Sequence, residues 1–353
     1  MGRFLRSPWF CVLGLLILGA VYIAVSPPGC EQTVKEPKHP DGPPKPPMRS
    51  VDRLRASWDS EGEADWPVTE LLASMSNFAY QTPAAARTSY GGLGFDQIVP
   101  VLKNSLAAYV VSSEDVAVIA FRGTDDPVDW LVNLDILPVQ TPHGEMHKGF
   151  ADAYETLKGG IMDALRQKKL KHLWTTGHSL GGALALVCAY DLIENEKMAF
   201  DGVITFGQPM VAGQGLADYL DKLLLGRFAH IVNDVDIVPR VPPGYSHCGS
   251  LVWFTDGGIR RSKPKRPIVE AAPDKFSFVP TDNPKPLTNA EFDQLKAELR
   301  KQNESKKLHE SKNLYDGRPV VYGNTPWIRD HSMSAYLDKV RSLIGHIKQL
   351  LRR

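Results

Sequence analysis

A short stretch around Ser179 constrains the fold of this chain more than any other feature. The sequence reads TTGHSLGGA over residues 175–183 and contains the pattern G-x-S-x-G. A strand pattern precedes it at 172–176, and a helical pattern follows it at 183–193. Such a strand-turn-helix holds the serine hydroxyl clear of the sheet and aims the next backbone N–H at a substrate oxygen. Gly177 and Gly181 leave room where side chains would collide with the turn. The pattern therefore predicts Ser179 as a nucleophile; an ordinary glycine-rich turn before a helix is the alternative.

Strand and helix patterns alternate on both sides of this turn. Apolar strand patterns occupy 107–111 and 116–121, joined by a turn at 112–115, and return at 202–206 and 228–232. Helical spacing of apolar residues marks 71–78, 150–165 and 216–225, and a last helix is expected after His331. Alternation of this kind after a first hairpin predicts an α/β fold with a mostly parallel central sheet flanked by helices.

A serine nucleophile needs a base, and the base needs an orienting acid. Asp236 follows the strand pattern at 228–232, and His331 precedes the last helix, so the order Ser, Asp, His is that of α/β-hydrolase-like chains. The ten histidines leave His247 as the main rival base, and Asp234 is the rival acid. The other histidines near apolar segments are expected to be structural, and His178 is expected to point away from the serine hydroxyl.

Composition excludes several function classes. The 41 basic and 40 acidic side chains nearly balance in a chain of 353 residues, which argues against a nucleic-acid partner recruited by a basic field. Zinc-type Cys/His spacing, a P-loop and a dinucleotide fingerprint are all absent from the sequence. Four cysteines do not make a disulfide framework in a chain of this size.

The N-terminal region predicts a membrane anchor or a signal segment at 1–25, followed by a linker. Residues 9–25 are uncharged and mostly apolar behind Arg3 and Arg6, which is near the lower length limit for a span. We favour an uncleaved anchor that places the rest of the chain outside the cytoplasm, so the expected partners are a membrane and an ester substrate. A cleaved signal, giving a secreted or lipid-anchored protein, is the alternative. The proline-rich stretch at 26–50 reads as an extended spacer before a folded domain at 51–353.

An insertion is predicted within that domain at about 263–313. Its first half is proline-rich, and Thr288 and Glu291 have the spacing of a capping box. Phe292, Leu295 and Leu299 follow at helical spacing among charged residues. We expect one solvated, weakly amphipathic surface helix here, with a partner-binding helix as the alternative.

Several further blocks together resemble the fungal-type, class 3 lipase family of the α/β-hydrolase superfamily. They are FRGT at 121–124, DWLVN at 129–133, HKGF at 147–150, GHSLGG at 177–182, TFGQP at 205–209, DIVPRVPP at 236–243 and DH at 330–331. The blocks occur in the family's order, and the resemblance covers roughly residues 65–345. The insertion, the spacer and the apolar N-terminal run depart from the family's pattern.

The resemblance implies hydrolysis of carboxylic esters of lipids, through an acyl-enzyme and without a metal or organic cofactor. It implies Ser179, Asp236 and His331 as the catalytic residues, and the backbone N–H groups of Thr124 and Leu180 as the oxyanion hole. It also implies a lid at 125–138. The lid residues expected to touch substrate are Trp130, Leu131 and Leu134, although a permanently packed surface helix is the alternative. Phospholipase or small-ester (feruloyl-type) esterase activity, and a non-catalytic binding module, remain open.

Overall fold

The computed structural model describes residues 49–55, 65–166, 168–256, 258–262, 284–312 and 329–350. The predicted anchor at 9–25 and almost all of the predicted linker at 26–50 lie outside these described residues. Within the described ranges, every helix is too short or too polar to cross a lipid bilayer.

An eight-stranded sheet forms the centre of the fold, in the order β1-β2-β3-β6-β7-β8-β9-β10. β3, β6, β7, β8 and β9 run parallel, whereas β1–β2, β2–β3 and β9–β10 are antiparallel hairpin pairs. The strands are β1 Gln97–Lys103, β2 Leu106–Ser113, β3 Val116–Phe121, β6 His172–His178, β7 Gly202–Phe206, β8 Phe228–Asn233, β9 Ser250–Thr255 and β10 Gly258–Ser262. A separate small hairpin pairs β4 Pro138–Thr141 with β5 Gly144–His147.

Eight helices accompany these strands within the described residues. They are α1 Trp66–Phe78, α2 Pro83–Gly92, α3 Pro127–Asn133, α4 Lys148–Leu165, α5 Leu180–Glu194, α6 Gln214–Leu223, α7 Asn289–Lys312 and α8 Met333–Leu350. Short 3₁₀ turns occur at Ser50–Arg55 and Val238–Arg240.

The sheet is apolar on both faces because helices cover each of them. Along β3, Ile119 and Phe121 pack with the side chains of α4, α5 and α6, whereas Val118 and Ala120 face α1, α2 and α8. This alternation follows the two-residue period of a strand. It explains why β3 reads as a continuous apolar run, which is typical of buried parallel strands.

The architecture confirms the predicted α/β-hydrolase fold, with its mostly parallel sheet and flanking helices. The alternation of strand and helix that the sequence indicated is observed from β3 onward. One boundary differs: the hairpin predicted to turn at 112–115 keeps its ladder to Ser113 opposite Val116, so only two residues form the turn.

The helix inside the predicted insertion is the expected weakly amphipathic surface helix, with most of its described side chains exposed. Thr288 and Glu291 form the predicted capping box, with the Thr288 N–H donating to Glu291 Oε2 at 2.8 Å and the Glu291 N–H to Thr288 Oγ1 at 3.3 Å. Phe292 and Leu299, however, are buried in the same core cluster as α3 and α5. This narrow apolar stripe of α7 is buried because it packs against a second apolar helix, α3.

Candidate active site

Ser179 lies at the turn between β6 and α5, with a backbone that few residues adopt. Its φ is +59°, and its N–H donates to the Phe206 carbonyl at 2.9 Å. A left-handed φ is costly for a residue with a side chain, so the surrounding structure must hold it. A Cβ on Gly177 would lie 2.2 Å from the Gly181 carbonyl oxygen, which is why the two positions flanking this turn have no side chain.

Ser179, His331 and Asp236 form one buried hydrogen-bonded line. His331 Nε2 lies 2.8 Å from Ser179 Oγ, and His331 Nδ1 lies 2.8 Å from Asp236 Oδ2. All three side chains are at most 3% exposed. The carboxylate can only accept, so Nδ1 carries the proton and Nε2 accepts from the serine hydroxyl. This arrangement can take a proton from Ser179 and stabilise the imidazolium that results.

The acid is held by more than the histidine. Tyr336, on α8, donates its hydroxyl hydrogen to Asp236 Oδ2 at 2.6 Å, and the Val238 N–H donates to Asp236 Oδ1 at 2.9 Å. The Tyr336 hydroxyl in turn accepts from the Asn233 N–H at 3.0 Å. Burial, and then the neighbouring Asp236, raise the pKa of Tyr336 well above its usual value, so the phenol stays a donor.

The two rival residues lie elsewhere. His247 is bonded through Nε2 to the Pro239 carbonyl at 2.7 Å and stacks on His230 with ring centroids 4.4 Å apart. Burial lowers the pKa of His247 to about 4. Asp234 has a φ of +40° and uses its carbonyl to accept from the Trp253 indole N–H at 2.9 Å. The structure therefore brings His331 and Asp236, rather than His247 and Asp234, next to the serine.

His178 points away from the serine hydroxyl, as its place in the turn predicts, and it contacts the base from behind. Its Nε2 lies 2.6 Å from the backbone oxygen of His331, and its Nδ1 lies 2.7 Å from the Tyr80 hydroxyl. Burial, followed by the nearby His331, lowers the pKa of His178 well below its usual value. The ring is therefore neutral.

The loop after β3, which carries the predicted oxyanion donor Thr124, passes beside the nucleophile. A Cβ on Gly123 would lie 2.6 Å from the His178 carbonyl oxygen and 3.2 Å from Ser179 Cβ, so this loop passes directly over the turn. Thr124 follows Gly123 in that loop. Leu180 is the first residue of α5, where a backbone N–H has no acceptor within its own helix. The Thr124 hydroxyl interacts with the backbone of Asp126, accepting from its N–H at 3.3 Å.

The predicted lid residues are packed in this structure. Leu131 is 0% exposed and Leu134 is 5% exposed, in one cluster with Phe292 and Leu299. Trp130 is half-buried and stacks on Phe150 with ring centroids 6.3 Å apart. The segment that follows leaves apolar side chains in solvent: Ile136, Leu137 and Val139. Both predictions for residues 125–138, a lid that moves and a surface helix that stays packed, agree with this conformation.

Sequence reasoning missed the residues that hold the base and the acid. They are Tyr80, Asn233 and Tyr336, together with His178 in its contact with the base loop. Asn233 donates its side-chain N–H to the Asp330 carbonyl at 2.9 Å, so it holds the residue before the base. Tyr336 had a signal that could have been read: a polar hydroxyl on the otherwise apolar face of the last helix, five residues after His331.

Comparison with known proteins gives one family and several fungal relatives. The lipase (class 3) family model matches residues 118–246. A lipase of Rhizomucor miehei is 36% identical over 157 residues, which is 41% of this chain and 43% of that protein. The secreted mono- and diacylglycerol lipase LIP4 of Malassezia restricta is 34% identical over 130 residues, which is 34% of this chain and 42% of that protein. The chain thus matches less than half the length of these two relatives.

Among solved structures, the triacylglyceride lipase of Rhizomucor miehei superposes with a TM-score of 0.45. The sequences are 27% identical in that superposition, which covers 55% of this chain and 83% of the other.

Proposed function

We propose that the chain is a serine hydrolase that cleaves carboxylic esters of lipids, and the match of the lipase (class 3) family model to residues 118–246 supports this. One observation carries the proposal: the unbroken line from Ser179 Oγ through His331 to Asp236, with 2.8 Å at each step. A hydrogen bond between nucleophile and base, with the base oriented by a carboxylate, is the geometry that activates a serine.

The reaction proceeds in two halves. Ser179 Oγ attacks the acyl carbonyl carbon while its proton passes to His331 Nε2. The developing oxyanion is bound by the N–H groups of Thr124 and Leu180, each of which is worth about 10²–10³ in turnover. His331 then gives the proton to the leaving alkoxide as the ester C–O bond breaks, and the alcohol departs. Water attacks the acyl-enzyme with His331 as base, which releases the acid and returns the proton to Ser179.

The proposed substrates are uncharged acylglycerols. The names of the fungal relatives, a lipase and a secreted mono- and diacylglycerol lipase, support this class. The charge of the proposed lid supports it too, because Asp125, Asp129 and Asp135 are exposed along 125–138. Exposed carboxylates at the edge of a site disfavour strongly anionic lipid surfaces.

The proposed lid is 125–138, with Trp130, Leu131 and Leu134 as the residues that meet the acyl chain. These side chains would cover an apolar cleft in one position and contact lipid in another. The exposed apolar residues Ile136 and Leu137, at 46% and 56% exposure, support a role for this segment at a lipid surface.

The catalytic domain is proposed to work outside the cytoplasm. Relatives from Malassezia restricta and Gibberella zeae carry the word secreted in their names, which supports export. The apolar run at 9–25 behind two arginines would serve as an anchor or as a cleaved signal.

The test compares the wild type and Ser179→Ala on purified esters. The panel contains a short-chain p-nitrophenyl ester, emulsified diacylglycerol and triacylglycerol, phosphatidylcholine and methyl ferulate. We expect hydrolysis of the acylglycerols by the wild type, none by Ser179→Ala, and the same circular dichroism for both. A fluorophosphonate probe should label the wild type alone. A wild type that stays unlabelled and inactive would identify a binding module, and a preference for phosphatidylcholine or methyl ferulate would reassign the substrate class.

A further inference from the structure

His178 connects the base loop to the oxyanion loop through an ordered set of hydrogen bonds. The backbone oxygen of His331 can only accept, so His178 Nε2 must be the donor in the 2.6 Å contact. A neutral imidazole carries one ring proton, so His178 Nδ1 must accept from the Tyr80 hydroxyl at 2.7 Å. The Tyr80 oxygen also packs tightly against Gly123, since a Cβ built on Gly123 would lie only 2.2 Å from it. The tautomer of His178 and the direction of every bond are therefore fixed.

Each end of this series of hydrogen bonds contacts a residue next to the proposed reacting groups, although neither His178 nor Tyr80 reacts. One end holds the carbonyl of the residue whose ring accepts the serine proton. The other end, the Tyr80 hydroxyl, packs against Gly123, directly before the proposed oxyanion donor Thr124. The neutral state of His178 also matters, because its ring centroid is 4.7 Å from that of His331, and a second positive charge there would oppose the imidazolium.

We propose that His178 is a positioning residue that, with Tyr80, fixes the base His331 and the oxyanion loop relative to one another. The proposal rests on the proposed serine hydrolase function and adds to it. Reacting groups displaced by about 1 Å lose on the order of 10²-fold in rate. Loss of this connection should therefore lower kcat by between about 10- and 100-fold and leave KM within about twofold.

The experiment uses the full chain and three substitutions. His178→Leu removes both hydrogen bonds, whereas His178→Gln keeps an amide donor at about the reach of Nε2. Tyr80→Phe removes the hydroxyl with little change in shape. We expect kcat on a soluble p-nitrophenyl ester to fall in His178→Leu and Tyr80→Phe at constant KM, and to recover at least severalfold in His178→Gln. The losses should be non-additive in the Tyr80→Phe, His178→Leu double variant.

The outcomes separate this proposal from the proposed function. Wild-type kcat in His178→Leu, or a kcat in His178→Gln as low as in His178→Leu, would overturn the positioning role while the enzyme stays active. If His178→Leu does not fold, the pair Tyr80→Phe and His178→Gln decides: unchanged kcat in Tyr80→Phe overturns the proposal. A wild type without activity or fluorophosphonate labelling would instead overturn the function itself.

A second, independent observation concerns α7, which holds α3 from outside the family-matched region. Lys296 on α7 donates its ammonium hydrogen to the Leu134 carbonyl, at the end of α3, over 2.8 Å. Phe292 and Leu299 pack in one cluster with Leu131 and Leu134. The residues before α7 are tied to the 3₁₀ turn that follows Asp236: the Leu287 N–H donates to the Arg240 carbonyl at 2.9 Å.

We infer that α7 is a clasp that holds the proposed lid helix α3 in its packed position. α7 begins beside the turn after the catalytic acid, so its N-terminal end is fixed to the same frame as the site. Moving α3 away requires breaking the Lys296 hydrogen bond and exposing apolar side chains of both helices, which is unfavourable in water. This inference also rests on the proposed function.

The test compares Lys296→Met with Lys301→Met, the same chemical change on the exposed side of α7. With a soluble short-chain ester and no lipid surface, Lys296→Met should turn over at least about threefold faster than the wild type, and Lys301→Met should match the wild type. The ratio of emulsified-substrate to soluble-substrate rates should fall in Lys296→Met alone. Equal rates in Lys296→Met and Lys301→Met would overturn the clasp. A wild type that hydrolyses none of the esters would overturn the proposed function.

Discussion

Tyr336 donates its hydroxyl hydrogen to Asp236 Oδ2 at 2.6 Å, the same oxygen that accepts from His331. The shared oxygen makes the tyrosine part of the support for the proposed acid. Because Tyr336 lies on α8, three residues after that helix begins, the last helix is tied directly to the site. These donors orient the Asp236 carboxylate, whose negative charge would stabilise the imidazolium that forms on His331.

Tyr336→Phe should lower kcat about tenfold and destabilise the fold by about 1–3 kcal/mol, because the buried Asn233 N–H loses its acceptor and Asp236 loses a donor. The matched control is Tyr90→Phe, which removes a buried hydroxyl bonded to the Met75 carbonyl at 2.9 Å. The control should lose stability and keep kcat. Steady-state kinetics and urea unfolding of both variants measure the difference. A Tyr336→Phe protein with unchanged kcat would show that the hydroxyl serves packing alone.

His331→Ala and Asp236→Asn should each lower turnover by about 10⁴-fold or more, since a triad acts as a unit. His247→Ala and Asp234→Asn are the paired controls, and each should retain most of the wild-type rate. The measurement is the initial rate on one soluble ester for all four proteins. An inactive His247→Ala beside an active His331→Ala would show that the base is His247 and not His331.

Acid should destabilise the fold through its buried neutral histidines. Burial lowers the pKa of His178 and His230 well below 6.5 and that of His247 to about 4. Between the unfolded value near 6.5 and the lower folded value, the unfolded chain binds protons that the folded chain does not, so the free energy of unfolding falls as pH drops. Each such histidine contributes about 1.4 kcal/mol per pH unit in that window.

Urea unfolding at pH 7.5 and pH 5.5 measures this loss. His247→Gln should show a smaller fall between the two pH values, because one of the titrating rings is gone. If the free energy of unfolding falls equally in the wild type and in His247→Gln, then His247 has the same pKa in the folded and the unfolded chain.

The N-terminal expectation is tested by fractionation. If residues 9–25 form an anchor, the full chain should sediment with membranes and resist carbonate extraction. A chain that starts at Val51 should be released and remain active, because all proposed catalytic residues follow that position. Sequencing the mature N-terminus is the direct check: a start between Ser26 and Cys30 would show cleavage and exclude the uncleaved anchor.

The sequence predicted those parts of the fold that depend on local pattern. Strand β3 and the turn at Ser179 can each be predicted from one short segment of sequence. The buried strand appears as a run of apolar residues, and the turn appears as the G-x-S-x-G motif. The rivals Asp234 and Asp236 are only two residues apart, and pattern alone left them open. Tertiary structure separates them, since only Asp236 lies within hydrogen-bond distance of His331.

The residues that pattern missed act through long-range contacts. Tyr80 and His178 are 98 residues apart in sequence, and Asn233 and Asp330 are 97 apart. The packing partner of α7 was missed for a related reason. The charged composition of α7 predicts a solvent-exposed helix. The apolar helix against which it packs, α3, lies far away in the sequence.

The proposed base and the proposed nucleophile are 152 residues apart, and α8 follows the proposed base and bonds the proposed acid through Tyr336. During synthesis, the serine, the oxyanion loop and the acid are all made well before His331 leaves the ribosome. Until α8 docks on α1, the growing chain carries a nucleophile with nothing to deprotonate it. A product that ends before residue 331 would therefore lack the proposed base and be chemically silent toward esters, and the appearance of activity would report that α8 had been made and had docked.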